Sequence, residues 1–104
     1  AHWRNSVTEH EQSILRRAGG EIGDRKTSPR AGSYTNHLLD AGEDEIVKKI
    51  GEEAIEVVLA VKGQGDQRVI EELADLTYHC LVLLAQRGLS PDDIAAELER
   101  RHRP

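Results

Sequence analysis

Acidic side chains recur at helical spacing in two stretches of the sequence. Glu53 and Glu56 lie three residues apart, and Glu72 and Asp75 repeat that interval further along the chain. Side chains at this spacing lie one turn apart on the same side of a helix, so each pair can bind one cation. A divalent ion removes the cost of holding several carboxylates together. Oxygen ligands favour hard ions, so the pattern predicts Mg²⁺, with Mn²⁺ as a substitute.

A second explanation stays open, because acidic residues on helices are usually solvated surface. It suits Glu52, Glu53 and Glu56, which form one stripe beside an apolar face of the predicted helix. It suits Glu72 and Asp75 less well, since they interrupt a segment that is apolar nearly all round. Salt bridges would also account for them. The nearby cations are Lys48, Lys49 and Arg68.

Apolar periodicity predicts that these acids lie on two long helices. In the first, over residues 43–62, one face is expected to be core: Ile46, Val47, Ile50, Ala54, Val57, Val58 and Val61. The second is expected over residues 67–87. Gly63 and Asp66 are predicted to end the first helix and to cap the second, so the two helices should be antiparallel.

Shorter helices are predicted on both sides of this pair. Thr8 and Glu11 fit a capping box for a first helix that Gly19-Gly20 should interrupt, and residues 23–32 read as a basic loop. Ser33 should cap a short helix through Leu39 that ends at Gly42. Ser90-Pro91 is a strong start signal for the last helix. We therefore divide the chain into an N-terminal helix and linker, 1–32, and an all-α domain, 33–104, leaving residues 1–6 out of the argument.

The second long helix lacks a wide polar face, so it must be covered on several sides. One chain offers one long partner helix and two shorter ones, which is too little. Two copies of the long hairpin would bury it as a four-helix bundle. The sequence therefore predicts an all-α fold completed in a homodimer, or in an oligomer built from dimers.

Composition excludes several classes of function. The 104 residues suit one small domain. A net charge of −5 argues against a non-specific binder of nucleic acid or of anionic membranes. Cys80 is the single cysteine, so no internal disulfide forms and a cytoplasmic location is expected. No apolar run approaches the roughly 20 residues that cross a bilayer.

The acidic pattern resembles a known signature. Glu52-Glu53-x-x-Glu56 followed by Glu72-x-x-Asp75 resembles the paired-helix motif of the MazG-like all-α nucleoside triphosphate pyrophosphohydrolase superfamily. A wider run is similar to the phosphoribosyl-ATP pyrophosphohydrolase family of histidine biosynthesis. That run comprises Ser33-Tyr34-Thr35, Leu38-Leu39, Gly42, residues 48–56, residues 71–79 and Arg87-Gly88-Leu89-Ser90.

The resemblance implies a reaction and a set of roles. The family hydrolyses phosphoribosyl-ATP between the α and β phosphates, giving phosphoribosyl-AMP and pyrophosphate, and it implies a homodimer with substrate contacts from both subunits. By position, Glu53, Glu56, Glu72 and Asp75 would be the Mg²⁺ ligands. Glu52 would be a further ligand or would orient the attacking water. The catalytic set is thus Glu52, Glu53 and Glu56.

Other side chains are candidates for binding the nucleotide substrate. Lys49 lies four residues before Glu53 and points along the same side of the helix, so it can contact phosphate or pair with a carboxylate. The hydroxyls of Ser33, Tyr34 and Thr35 can reach phosphate at a helix N-terminus, or serve only for capping and packing. His79 can support a ligand or contact substrate, and it can equally be a hydrogen-bonded residue of a dimer core.

Two other functions remain as alternatives. The same carboxylates would suit a housecleaning pyrophosphohydrolase that acts on noncanonical nucleotides. A chain whose acids are all solvated would instead be a non-catalytic helical dimerisation module.

Overall fold

Five helices make up the part of the chain that the structure describes. The computed structural model describes residues 9–102, with side chains from residue 14 onward. The helices are α1 (Glu9–Thr27), α2 (Tyr34–Ala41), α3 (Glu43–Gly63), α4 (Asp66–Gln86) and α5 (Pro91–Arg101). These residues contain no strand, which confirms the all-α prediction. Within the same range, no helix is long and apolar enough to cross a membrane.

The two long helices, α3 and α4, pack along each other more extensively than any other pair of described helices. Only Gln64 and Gly65 separate them. The prediction that Asp66 caps the second helix is wrong by one position, because Asp66 is its first helical residue and Gly65 is the cap. Gly65 has a φ of 87°, a conformation that glycine adopts without steric cost and that lets two residues reverse the chain.

The predicted boundaries of the shorter helices α2 and α5 are confirmed within two residues. The Ser33 hydroxyl accepts a hydrogen bond of 3.2 Å from the Asn36 backbone N–H at the start of α2. Gly42 follows the last residue of α2. At the start of α5, the Ser90 backbone N–H donates to Asp93 Oδ2 at 2.9 Å, as a capping box requires.

Helix α1 is longer and more regular than the sequence predicts. It runs through Gly19 and Gly20 to Thr27, so the predicted interruption is wrong, and the predicted loop of residues 23–32 begins only at residue 28. Gly19 is explained by packing, since a Cβ there would lie 2.6 Å from Pro91 Cγ at the start of α5. The predicted capping box of Thr8 and Glu11 lies outside the described side chains.

The buried core draws on four helices. Its members are Ile22, Leu38, Ile46, Leu81, Val82 and Ala85. On α3, the expectation of one wholly buried apolar face is wrong for a single chain. Ile46 is buried, but Val58 is 56% exposed and Val61 is 65% exposed. Within its own chain, α3 packs against α4 and, less extensively, against the short helix α2, so the apolar side that faces neither stays exposed.

Candidate active site

Three of the predicted ligands converge between the two long helices. Helix α3 contributes Glu53, and α4 contributes Glu72 and Asp75. One carboxylate oxygen of each lies within 4.8 Å of the other two. The one-turn spacing on α4 sets Glu72 and Asp75 side by side, and the packing of the hairpin brings Glu53 to them. Such a donor set, made only of carboxylate oxygens, fits a hard divalent cation.

Burial gives this group of acids a further reason to bind a cation. Glu72 is only 5% exposed, Glu53 is half-buried and Asp75 is exposed. A buried carboxylate is costly unless it is hydrogen-bonded and paired. Arg68, one turn earlier on α4, meets part of this need by donating from Nη2 to Glu72 Oε1 at 2.7 Å. A second nitrogen of the same guanidinium, Nη1, donates to Glu71, so Arg68 is shared between an exposed and a buried carboxylate.

The other two predicted acids lie outside this group of three. Glu56 and Glu52 are both exposed on α3. Lys49 Nζ lies 3.4 Å from Glu52 Oε1, so the pairing that competes with phosphate contact is present. This pairing with Glu52 is the main reason that the pKa of Lys49 is raised. Lys49 therefore stays positively charged beside Glu53 over the pH range in which a nucleotide carries its full negative charge.

Tyr34 and His79, both candidates for substrate contact, are hydrogen-bonded to each other. Tyr34 Oη lies 3.0 Å from His79 Nε2. The second ring nitrogen, Nδ1, lies 2.7 Å from the backbone oxygen of Asp75. His79 is 5% exposed and uses both nitrogens within the chain. Its ring thus joins the first residue of α2 to the turn of α4 that carries Asp75.

The hydroxyls around Tyr34 have separate partners. Ser33 caps α2, and Thr35 Oγ1 is hydrogen-bonded to Tyr78 Oη. The rings of Tyr34 and Tyr78 stack with their centroids 6.1 Å apart. Burial raises the pKa of Tyr34, while the charge of Lys49 opposes that shift. The Tyr34 hydroxyl therefore keeps its proton at neutral pH.

Comparison with known proteins shows the family of this chain. A family model described as phosphoribosyl-ATP pyrophosphohydrolase matches residues 19–102. The chain belongs to the phosphoribosyl-ATP pyrophosphohydrolase family. The matched range contains Glu53, Glu72 and Asp75 together with the Tyr34–His79 pair.

Relatives in this family share much of the sequence. The phosphoribosyl-ATP pyrophosphatase of Pelotomaculum thermopropionicum is 50% identical over 91 residues, covering 88% of this chain and 93% of that protein. The protein of that name from Listeria monocytogenes serotype 4b is 57% identical over 81 residues, which is 78% of each. The histidine biosynthesis bifunctional protein HisIE of Caldanaerobacter subterraneus subsp. tengcongensis is 45% identical over 96 residues, 92% of this chain and 47% of that protein.

Some contacts of this family member could not be found from its sequence. Arg68 is an exception: it was one of three cations that could pair with the acids, and its position four residues before Glu72 on α4 is a sequence signal that favours this pair. The bonds of Tyr34 to His79 and of Thr35 to Tyr78 join residues more than forty positions apart. Such pairs depend on how α2 packs against α4, and no local pattern encodes that packing.

Proposed function

We propose that this chain hydrolyses phosphoribosyl-ATP between its α and β phosphates, releasing phosphoribosyl-AMP and pyrophosphate in histidine biosynthesis. Membership of the phosphoribosyl-ATP pyrophosphohydrolase family supports the substrate and the reaction. The observation that carries the proposal is the convergence of Glu53, Glu72 and Asp75 within 4.8 Å between α3 and α4. A group of carboxylates alone would repel a triphosphate, so this site acts on one only with a cation bound.

Mg²⁺ is the cation that this donor set would hold, with Mn²⁺ as a substitute. Glu53, Glu72 and Asp75 would bind it, and Glu56 stays a predicted fourth ligand. When bound, the ion supplies charge neutralisation on the phosphate oxygens and on the leaving pyrophosphate.

The chain's own side chains have three tasks at this site. Lys49 leaves its ion pair with Glu52 and contacts a phosphate oxygen instead. Glu52, exposed beside the group, is then left to orient the attacking water or accept its proton. The capping hydroxyl of Ser33 at the N-terminus of α2 still has a proton to donate to a phosphate.

We also propose that two copies form the working enzyme. The apolar residues that α3 and α4 leave exposed support this arrangement. They recur at helical spacing on both helices: Val47, Ile55, Val58 and Val61 on α3, and Ile70 and Leu73 on α4. A soluble helix with such a stripe needs a partner, and a second copy of the hairpin supplies a matching one. A cytoplasmic location stays a prediction.

The test of the reaction is release of pyrophosphate from phosphoribosyl-ATP in the presence of Mg²⁺. The Asp75→Asn variant should lose at least about a hundredfold in kcat, because the ion loses a charged ligand. It should also lose the thermal stabilisation that Mg²⁺ gives the wild type. Asp44→Asn is the matched control, since Asp44 is an exposed acid in the first turn of α3 and lies outside the group of three.

Three results would contradict the proposal. The first is a wild type that releases no pyrophosphate from this substrate. The second is Asp75→Asn with the activity of Asp44→Asn. The third is a wild type that hydrolyses noncanonical nucleoside triphosphates faster than phosphoribosyl-ATP, which would favour a housecleaning enzyme.

A further inference from the structure

The bond between Tyr34 and His79 restricts what the tyrosine can recognise. His79 Nδ1 lies 2.7 Å from the backbone oxygen of Asp75, and a carbonyl oxygen can only accept a hydrogen bond. Nδ1 must therefore carry a hydrogen, because the opposite tautomer would set two acceptors against each other at that distance. In the neutral ring, Nε2 is then an acceptor as well.

This tautomer determines the direction of the next bond. Tyr34 Oη lies 3.0 Å from His79 Nε2, so the tyrosine donates its only hydroxyl proton to the histidine. His79 is buried at 5% exposure, which shields this bond from competing water. The remaining lone pair of Tyr34 Oη can only accept. Tyr34 is thus an oriented acceptor, and a phosphate oxygen cannot be its partner.

The position of Tyr34 indicates which donor it meets. Its side chain is 47% exposed and begins α2, where an open pocket of about 640 Å³ is lined by Arg30, Ser33, Tyr34 and His37 among others. Lys49 and Glu53 lie close enough to act on it electrostatically. Tyr34 therefore borders both this pocket and the acidic group.

We propose that Tyr34 accepts a hydrogen bond from a hydroxyl of the ribose that carries the triphosphate, and so selects ribonucleotides over their deoxy analogues. This inference rests on the proposed function, which brings the α-phosphate to the acidic group. The ribose follows directly after that phosphate, and its 2′ and 3′ hydroxyls are the nearest donors of the substrate. His79 is a positioning residue here, because it acts only by accepting the hydrogen bond of the tyrosine hydroxyl.

The test compares three substrates on two enzymes at pH 8. The substrates are phosphoribosyl-ATP and its analogues that lack the 2′ or the 3′ hydroxyl of that ribose. In the wild type, kcat/KM should fall by about threefold to tenfold for one of the analogues, the usual effect of one lost hydrogen bond. In Tyr34→Phe, that analogue and the natural substrate should react equally, at the wild type's rate with the analogue.

Tyr78→Phe is the matched control, because its hydroxyl bonds to Thr35 and not to His79. It should keep the wild type's ratio between the substrates, and thermal unfolding should confirm that both variants fold. A purely structural Tyr34 would lower kcat/KM by one common factor for all three substrates, and this result overturns the inference. So does a wild type that does not discriminate. A wild type that hydrolyses none of them would instead refute the proposed function.

Discussion

Glu72 shows how one side chain can serve both the folded chain and the chemistry. It is buried, and it lies in the group of three that suits a cation. Arg68 already pairs with it at 2.7 Å from the adjacent turn. Arg68 holds Oε1 of Glu72, so a divalent ion at this site would compete with the guanidinium for the charge of that carboxylate. In this chain, Arg68 compensates Glu72 whenever no ion does so.

Replacing Arg68 by Gln should separate these two effects. The metal-free protein should lose unfolding free energy, because the buried carboxylate loses its charged partner. Mn²⁺ should bind several-fold more tightly, since no guanidinium competes for Glu72. Thermal unfolding in a chelator and a Mn²⁺ titration measure the two quantities.

Arg16→Gln is the control for Arg68→Gln, because Arg16 pairs with Asp92 at 3.1 Å on the exposed surface. Exposed pairs of this kind contribute little, so stability and metal affinity should both stay near the wild-type values. If Arg68→Gln matched this control in both measurements, Arg68 would have no influence on the site.

Sequence spacing could predict the site only as far as one helix determines it. The interval from Glu72 to Asp75 places two carboxylates together whatever else the chain does. Glu53 was correctly grouped with them, but Glu56 had the same claim by spacing and is exposed outside the group. The rotation of α3 against α4 decides between them, and that rotation is a property of tertiary packing.

At the scale of helices, local sequence signals predicted where a helix begins better than whether a helix continues. Ser33 and Ser90 mark true helix starts because a side chain or backbone group there binds the first turn. Gly19-Gly20 looked like an interruption since glycine lowers helix propensity. Contact with α5 compensates that loss, because α1 can approach Pro91 only where it has no side chain. The sequence alone does not distinguish a glycine that lets two helices pack closely from a glycine that ends a helix.

The two neighbouring glycines should respond oppositely to alanine. In Gly19→Ala, the new methyl group would meet Pro91 atoms at 2.6 and 2.7 Å, so the overpacked contact should cost about 1 to 3 kcal/mol. A Cβ at Gly20 would meet no atom of another helix within 4 Å, so Gly20→Ala should stabilise the helix by up to about 1 kcal/mol. Urea unfolding of both variants measures the difference, and equal midpoints would contradict the packing role of Gly19.

The whole molecule has to reconcile an acidic chain with a polyanionic substrate. Its 19 Asp and Glu residues exceed its 14 Lys and Arg residues. Three of the acids gather at one site, where a divalent ion would neutralise most of their charge. The net charge therefore argues against binding that depends on a basic surface, and it leaves metal-mediated binding of a phosphate ester possible.

Dimerisation is the prediction that concerns the whole molecule, because one chain leaves the apolar side of α3 exposed. Val58 is 56% exposed there, so Val58→Glu should leave the protomer's own packing intact but bury a charge between two copies. Sedimentation equilibrium should find a wild-type dimer and a largely monomeric Val58→Glu. Leu98→Glu, at a position 48% exposed on α5, is the control and should stay dimeric. A monomeric wild type at tens of micromolar, or a dimeric Val58→Glu, would show that α3 does not form the interface.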